Sequence, residues 1–560
     1  MEIQIQSFSK DVFAQRLSEC ITTTKNLAFQ NISKTNNKLK LVVSTQLLGA
    51  HHWFKGTKHT ETVIGKGKGL RLTRAVLGLT EPVKKIYERS YKKGTGRKEE
   101  MIDIRNQSHI TDAFCGAKRA HIVITKDEIL ITPLFDASNF VNKAGNIFIP
   151  DISIVKDAII SVLDTIEANK LTHISFKAAP EFWESDHATI LITQLRRLGY
   201  TIDKTNDDVK AVQNNNADLH YMNIELTKCK PIQAPPVSSN PLECFVGFSG
   251  GFDAHLLERE GFDVTSALEW APPEKRDTTD KSEHYALSLM MNTNVKHLFN
   301  EDIYFANIPF IAELNKNIGH AHFSLSCTDF SSLKTKKARA KAIDELTTSR
   351  DMFVPTLKLI SKMAPLTLSV ENVPNFANSA EYQIFISRLE RLGYKVCTHT
   401  LNAPHFGGLT SRKRMYIFAT RLNLSLEHFG EVQTKSATIS AWDAVKSDFN
   451  NMRDVSHTKS VQKGIDTGRI RPLKEGDKVG PAIFRSQNRQ LKDTCYLLHN
   501  NKYYLPTVNQ LRALSGMPES FKMNFLSIEQ QTAIIGQGID AELHTAWIER
   551  IKIYLLAATH

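Results

Sequence analysis

The sequence has few of the features that mark a membrane, secreted or disulfide-stapled protein. Across its 560 residues no hydrophobic run reaches the roughly 20 residues that a membrane-spanning helix needs, and no signal peptide is recognisable at the N-terminus. The seven cysteines are scattered, odd in number and never arranged as CxxC, so neither a disulfide framework nor a metal site is expected. We therefore expect a soluble, cytoplasmic protein that contacts no membrane and holds no metal.

The residues that are present predict a globular chain of several domains. Hydrophobic residues make up 41% and charged residues 23%, which is enough for a packed core. At about 150 residues per domain the length predicts three or four units. Lysine and arginine number 71 against 59 acidic residues, a net charge of +12 that favours a polyanionic partner such as nucleic acid.

The clearest boundary is a proline-rich stretch at residues 229–242, which we interpret as an interdomain linker. Before it, residues 55–100 carry thirteen basic residues against five glutamates. A solvated basic surface and a contact with the phosphate backbone explain this stretch equally well.

After the linker, short β-branched runs alternate with helical stretches. This alternation predicts an α/β fold with a doubly wound, mostly parallel sheet. Such sheets bind ligands beyond the C-terminal ends of their strands, so candidate functional residues are sought there.

The first strand end carries a glycine-rich turn that leads into a helix, with Gly250 and Gly251 at its centre. Glu269 follows Gly250 by 19 residues, at the end of the next strand. This spacing is typical of a carboxylate that holds the hydroxyls of an adenosyl ribose. Many α/β proteins have a glycine turn followed by a surface glutamate, so this pair alone leaves both interpretations open.

Reactive side chains follow at three later strand ends: the thiol of Cys327, the carboxylate of Glu371, and the arginines Arg412 and Arg414. A single cysteine there is usually a small core residue, and a single glutamate is usually solvated. The ordered combination of thiol, carboxylate and arginine pair favours chemistry instead.

This ordered set resembles the cytosine-C5 DNA methyltransferases, whose glycine-rich motif, Pro-Cys loop, Glu-Asn-Val segment and Gln-x-Arg-x-Arg segment occur in the same order. The match runs from about Pro241 to the C-terminus. It implies a Rossmann-like methyltransferase fold with a catalytic domain at 243–420, a small target-recognition domain at 421–522 and a C-terminal helix at 523–560 that completes the catalytic domain.

The resemblance also implies partners and a biological role. It makes S-adenosylmethionine the cofactor and double-stranded DNA the substrate, in restriction-modification or self-protection of a bacterial or phage genome. A cognate restriction endonuclease is the further partner that such a role implies. Two other functions stay open: a tRNA cytosine-C5 methyltransferase, and a DNA-binding protein that has lost catalysis.

The family's cofactor residues can be carried over position by position. They map to the glycine-rich turn, the second strand end, the adenine contact and the final motif: Phe248, Ser249, Gly250, Gly251, Glu269, Trp270, Asp302 and Gln537. The first motif is one residue out of register, so Phe245 competes with Phe248 for the aromatic position, and we assign Phe248. Four residues depart from the family's usual Pro, Gln, Gln and Asn: Ser326, Thr328, Thr410 and Gln537.

The chemistry implied by the resemblance explains the catalytic residue types. Cytosine C5 is a poor nucleophile, so the thiolate of Cys327 would add to C6 before methyl transfer and be expelled afterwards. Glu371, a carboxyl group whose pKa would be raised, would protonate N3 of the base. Arg414 would bind O2 of the base, and Arg412 would support the loop and lower the thiol pKa. The base must be flipped out of the duplex to reach these groups.

Within the recognition segment, four residues suit the hydrogen-bonding edges of bases: Arg485, Gln487, Asn488 and Arg489. Residue by residue, an exposed polar loop explains them equally well.

A segment in the first half of the chain is similar in sequence to a segment in the second half. Residues 180–202 align without gaps on 374–396 with ten of 23 positions identical, which sets Lys177 opposite Glu371. We predict that 120–228 form a degenerate, catalytically dead methyltransferase-like lobe, preceded by a basic region at 1–119. The lobe and the basic stretch would serve either as a second DNA-holding surface or as a contact for another protein. Two ordinary helix-turn-strand units sharing a pattern are the alternative.

Overall fold

The protein forms two compact units, Thr22–Lys230 and Met1–Ile21 with Pro231–His560, called here the N-terminal and C-terminal units. The linker predicted at 229–242 lies mostly outside the residues that can be described. The computed structural model describes residues 20–32, 38–75, 83–90, 98–134, 146–149, 163, 166, 171, 173–178, 186–205, 208–213, 240–270, 283–330, 349–427, 429, 434–446, 449, 452–489, 491 and 494–559.

The N-terminal unit is rich in antiparallel strands. Its strands in chain order are β1 (Thr22–Ala28), β2 (Gln30–Asn31), β3 (Leu39–Ser44), β4 (Lys58–Gly65), β5 (Gly69–Arg74), β6 (Lys84–Lys85), β7 (Tyr87–Ser90), β8 (Lys98–Ile104), β9 (Arg119–Ile124), β10 (Glu128–Leu134), β11 (Asn146–Ile149), β12 (His173–Ala178), β13 (Tyr200–Thr205) and β14 (Asp208–Gln213). Its helices are α1 (Leu47–Ala50), α2 (Gln107–Phe114) and α3 (Asp186–Arg197).

These strands form three groups, in the orders β1-β9-β10-β5-β4-β6, β2-β3-β8-β7 and β11-β12-β14-β13. Leu70 and Leu72 in β5 are buried while Arg71 between them is exposed, the alternation of a strand with one face on the core. This alternation explains why the segment adopts a strand.

The boundary predicted at 119/120 does not hold. Strand β9 begins at Arg119 and pairs along its length with β1, and β10 pairs with β5. One sheet therefore contains strands from both predicted regions. Such long-range pairing leaves no trace in local sequence patterns.

Several basic side chains of the 55–100 stretch are paired with glutamates of the same unit. Lys84 lies 2.6 Å from Glu61, and Arg89 lies 2.6 Å from Glu99, with both carboxylates nearly buried. Arg71 also pairs with a glutamate. These pairs neutralise part of the positive charge, which favours the interpretation as protein surface over a phosphate contact for these side chains.

The C-terminal unit contains a seven-stranded sheet in the order β20-β21-β19-β18-β15-β16-β17. Its strands are β15 (Glu243–Gly247), β16 (Asp263–Leu268), β17 (His297–Asn300), β18 (His320–Ser324), β19 (Thr367–Asn372), β20 (Lys395–Asn402) and β21 (Lys413–Thr420). All of these pairings are parallel except those of β21, which runs antiparallel to both neighbours. The predicted doubly wound, mostly parallel α/β fold is confirmed.

Helices cover this sheet: α4 (Phe252–Arg259), α5 (His284–Asn292), α6 (Ile308–Leu314), α7 (Phe353–Met363) and α8 (Ala380–Arg391). The central strands β18 and β19 are buried almost throughout, as expected for strands covered on both faces. Because β15, β16, β18 and β19 are parallel, their C-terminal ends meet at one edge, where the predicted site residues lie.

Beyond β21 the unit contains a small sheet, β22 (Arg471–Lys474), β23 (Cys495–His499) and β24 (Lys502–Tyr504), with helix α9 (Lys459–Asp466). Helix α10 (Val508–Leu514) follows, and then α11 (Ile528–Gln537) and α12 (Ala541–Thr559). The last segment thus has two helices where one was predicted. None of the described helices is long and apolar enough to cross a bilayer.

Candidate active site

The thiol, the carboxylate and one arginine meet at the edge of the sheet. Glu371 lies opposite Ser324 in the parallel β18–β19 pairing, and Cys327 lies three residues after Ser324 in the chain. Arg414, near the start of β21, donates from Nε to the Glu371 carboxylate at 2.5 Å. All three side chains line one cavity of about 230 Å³ that also reaches the glycine-rich turn. The structure therefore brings together Cys327, Glu371 and Arg414.

Burial decides the ionisation of this group. It raises the pKa of the Glu371 carboxyl, with Arg414 opposing the rise. Burial also raises the pKa of the Cys327 thiol above 9.0, although Arg414 and Arg412 both act to lower it. The predicted lowering by Arg412 is thus outweighed, and the thiol is neutral at pH 7.

Arg412 is buried and contacts backbone carbonyls. Its guanidinium donates to the carbonyl oxygens of Ile483, at 3.2 Å, and Gly538. Burial lowers its pKa to about 10, so it still carries its charge at pH 7. Arg412 therefore ties the β20–β21 hairpin to the turn between α11 and α12, and we treat it as a positioning residue.

Replacing Arg412 with methionine is expected to destabilise the protein by about 2–4 kcal/mol, because buried carbonyls lose a charged donor. Urea unfolding monitored by circular dichroism measures this. Lys413→Met is the matched control, since Lys413 is the exposed next residue in the chain, at the start of β21. Equal midpoints for the two variants would contradict this role.

The glycine-rich turn is held from below by Glu269. One carboxylate oxygen of Glu269 accepts from the backbone N–H of Ser249 at 2.5 Å and of Gly250 at 2.8 Å. Gly251, the N-cap residue before α4, has φ of +90°, and a Cβ on it would lie 2.8 Å from the backbone nitrogen of Leu289. Only glycine fits there, which fixes the turn beside the carboxylate.

The ionisation of Glu269 is expected to make stability depend on pH. Burial raises its pKa to about 8 from an ordinary value of 4.5, so the folded state binds this proton more tightly than the unfolded state. Its contribution is complete below pH 4.5 and is lost as pH rises toward 8. Between pH 6 and 8 we expect a loss of about 2 kcal/mol that Glu269→Gln removes, measured by urea unfolding of both proteins. Identical pH dependence in the two proteins would contradict the assignment.

The remaining predicted cofactor residues line the same cavity: Phe248, Trp270, Asp302 and Gln537. Phe245 instead lies fully buried, 5.7 Å from the ring of Phe323, which supports the choice of Phe248. The Asp302 carboxylate accepts from the Tyr304 N–H at 3.1 Å.

Three of the four predicted recognition residues line a larger cleft of about 760 Å³ that also borders Cys327: Arg485, Asn488 and Arg489. Gln487 was predicted wrongly. It is 1% exposed, and its side-chain amide bonds to both the N–H and the carbonyl of Cys495. Gln487 therefore holds the loop against β23, and its hydrogen-bonding groups are used within the protein.

Sequence reasoning missed a buried polar group beneath the turn. Asp253, His322 and His544 place one ligand atom each within 4.8 Å of one another, a set that by residue type could hold a metal ion. His322 also bonds to the hydroxyl of Ser369 at 2.7 Å. These residues are far apart in the chain, and no spacing rule signals them.

Comparison with known proteins gives a consistent result. The family model of the C-5 cytosine-specific DNA methylases matches residues 250–553. The type II methyltransferase M.MspI of Moraxella sp is 26% identical over 215 residues, 37% of this chain and 51% of that protein. M.Bsp6I of Bacillus sp. (strain RFL6) is 34% identical over 85 residues, 14% of this chain and 26% of that protein. The chain spans about half or less of the length of these curated relatives.

Solved methyltransferase structures are also similar. Dnmt2 of S. pombe has 16% sequence identity and a TM-score of 0.44, with 56% of this chain and 98% of that chain covered. EhMeth of Entamoeba histolytica has 14% identity and a TM-score of 0.41, with 56% and 98% covered.

Proposed function

The chain belongs to the C-5 cytosine-specific DNA methylase family, and from this membership we propose that it methylates C5 of cytosine in double-stranded DNA, using S-adenosylmethionine. The observation that carries the proposal is that Cys327, Glu371 and Arg414 share one cavity with the turn held by Glu269.

Cys327 is the nucleophile of the proposed reaction. Its thiolate adds to C6 of the base, which moves electron density to C5 and makes that carbon reactive. S-adenosylmethionine, when bound, supplies the electrophilic methyl group. Loss of the C5 proton then expels Cys327. Because the thiol pKa is raised, the thiol must lose its proton as the base arrives.

Glu371 provides the proton that makes this addition possible. A carboxyl group that is buried and has a raised pKa can remain protonated and hydrogen-bond to N3 of cytosine. Arg414 already contacts this carboxylate at 2.5 Å, so its remaining donors are close enough to serve the O2 side of the same base. The two residues thereby hold the hydrogen-bonding edge of the pyrimidine.

The arrangement requires a flipped base. Glu371 is 7% exposed and lies inside the cavity, where a base stacked in a duplex does not reach. The 760 Å³ cleft beside Cys327 has the position needed to accept the extruded nucleotide. Arg485, Asn488 and Arg489 on its wall are the proposed readers of neighbouring bases.

The cofactor residues fit S-adenosylmethionine chemically. The Glu269 carboxylate would accept from the ribose hydroxyls, Asp302 would face the adenine, and Trp270 and Phe248 would pack against its ring. Gln537 would close the pocket from α11. The type II relatives favour a role in restriction-modification, with a cognate endonuclease as partner.

The proposed function is tested by transfer of tritiated methyl from S-adenosylmethionine to mixed-sequence duplex DNA, with tRNA as a parallel acceptor. We expect label on the duplex, recovered as 5-methylcytosine after nuclease digestion. Label on tRNA alone would overturn the DNA substrate while keeping the chemistry. DNA binding without label on either acceptor would overturn the enzymatic role.

A further inference from the structure

One sheet of the N-terminal unit has the topology of half of the catalytic sheet. Its strand order β11-β12-β14-β13 corresponds to β18-β19-β21-β20. In both, the first two strands are parallel and the third is antiparallel to its two neighbours. In both, a helix joins the second strand to the edge strand, α3 in one and α8 in the other. We call residues 146–213 the N-terminal repeat and residues 320–420 the base-side half.

The strand registers agree as well. His173 lies opposite Val212, and Thr201 lies opposite the same Val212 on its other side. In the base-side half, the residues 194 positions later are Thr367 and Lys395, and they also lie opposite one shared partner, Thr420. Two ladders therefore keep a common register in both copies, which an accidental likeness of two helix-turn-strand units does not require.

A side-chain hydrogen bond is repeated at the same shift. The hydroxyl of Tyr200 donates to the carbonyl of Leu171, and the hydroxyl of Tyr394 donates to the carbonyl of Pro365 at 2.8 Å. Both tyrosines are buried.

The glycine turns and helix faces correspond in the same way. Gly199 and Gly393, each before its tyrosine, have φ of +85° and +88°. Leu195 and Leu389 are fully buried in their helices. Ile190 and Ile384, which correspond to each other on the outer side of these helices, are each 49% exposed. The same helix face is thus turned to the core in each copy.

We propose that the N-terminal repeat is a second copy of the base-side half whose reaction chemistry has been removed. Lys177 occupies the strand position of Glu371. Only two residues separate β13 from β14, against ten between β20 and β21, so the loop that carries Arg412 has no counterpart. The sequence has no cysteine between Cys115 and Cys229. Among the described residues, only the second of these two base-side folds carries the groups needed for the reaction.

A register cross-link tests the shared fold. With Thr201→Cys and Val212→Cys, partners in the pairing, oxidation is expected to give an intramolecular disulfide identified by peptide mass. Thr201→Cys with Ala211→Cys, shifted by one residue onto the opposite face, is the matched control and is expected to stay reduced. Cross-linking of the shifted pair instead would overturn the common register.

The same proteins test whether the N-terminal repeat lacks cofactor binding and catalysis. This test rests on the proposed function. Calorimetry with S-adenosylhomocysteine is expected to give one site per chain, and the cross-linked protein is expected to methylate DNA at the unmodified rate. A second cofactor site, or loss of methyl transfer on cross-linking with cofactor binding intact, would overturn the inference. Absence of any cofactor binding would instead refute the proposed function and leave the register result standing.

An independent observation concerns Asp253, which is 1% exposed and lines the proposed cofactor cavity. One of its carboxylate oxygens contacts His322 at 3.2 Å and accepts from Ser324, and these contacts favour the ionised form. Among the described residues the other oxygen has no hydrogen-bond partner. A buried negative charge with an unused acceptor is costly unless a ligand satisfies it.

We infer that Asp253 binds the positive charge at the methionine end of S-adenosylmethionine, a step that rests on the proposed cofactor. This ligand has two cationic groups, a sulfonium and an ammonium, and a carboxylate is the complementary group for either. Asp253 lies next to Phe252 at the start of α4, in the segment that forms the turn. Asp253 would thus set the preference for the charged cofactor.

Calorimetry on Asp253→Asn with three probes tests this role. We expect at least about tenfold weaker binding of S-adenosylmethionine, corresponding to about 1.4 kcal/mol, and unchanged binding of uncharged methylthioadenosine. Equal weakening of S-adenosylhomocysteine places Asp253 at the ammonium, and weakening of S-adenosylmethionine alone places it at the sulfonium. Equal affinity of variant and native protein for all three would overturn the inference, whereas a native protein that binds none refutes the cofactor itself.

Discussion

Replacing Cys327 with alanine is expected to reduce methyl transfer to DNA by roughly 10⁴-fold or more, since no other group can form the bond to C6. The cavity contains the carboxylate and arginine that assist the addition, but among the described residues that line it Cys327 is the only thiol. Binding of duplex DNA and of S-adenosylhomocysteine is expected to stay within a few-fold of native, because the side chain is small and the turn is held elsewhere.

A duplex containing 5-fluorocytosine makes the test specific for the covalent step. The fluorine at C5 cannot leave as a proton does, so the native protein should remain attached to DNA on a denaturing gel. Cys397→Ala is the matched control, because Cys397 is a partly buried cysteine on β20 of the same sheet. An adduct that persists in Cys327→Ala, or disappears in Cys397→Ala, would contradict the assignment of the nucleophile.

Replacing Glu371 with glutamine is expected to lower kcat by about 10²–10⁴-fold, the usual contribution of a positioned acid. Glutamine keeps the shape, can accept from Arg414 and can still donate an amide hydrogen bond to N3, but it cannot transfer a proton to that nitrogen. We expect the affinity for S-adenosylhomocysteine to change little, because Glu269 and the glycine-rich turn are untouched.

Single-turnover methylation with enzyme in excess over labelled duplex measures this effect without interference from product release. Glu381→Gln is a matched control: Glu381 pairs with Arg350 at 2.8 Å on α8 in the same unit. A Glu371→Gln rate within tenfold of native would show that protonation of N3 contributes little and that another group assists the addition.

The sequence predicted most of what lies at the edge of the main sheet. Cys327 follows β18 and Glu371 lies near the end of its parallel neighbour β19, while Arg414 lies near the start of β21, which runs antiparallel to β19. All three positions therefore lie at the same edge of the sheet, whatever their separation in the chain. The order of these residues was therefore sufficient to anticipate the shared cavity.

The features that were missed depend on packing between distant segments. Gln487 was predicted to read a base because an amide side chain can hydrogen-bond to a base edge. Its actual partner, Cys495, lies in a strand whose position only the fold determines. Arg412 contacts carbonyls of a segment more than 120 residues later, at Gly536 and Gly538. Local patterns carry no information on either contact.

The contact between Arg412 and the turn near Gly538 also means that the site is completed late during synthesis of the chain. A ribosome adding about 5–20 residues per second needs roughly 8–33 seconds to proceed from Glu371 to Gly538. During that interval the nascent chain already contains Cys327 and Glu371 but lacks the segment that Arg412 holds and the Gln537 wall of the cavity. We therefore expect no methyl transfer to DNA from chains that end before Gln537, because their cavity lacks this wall.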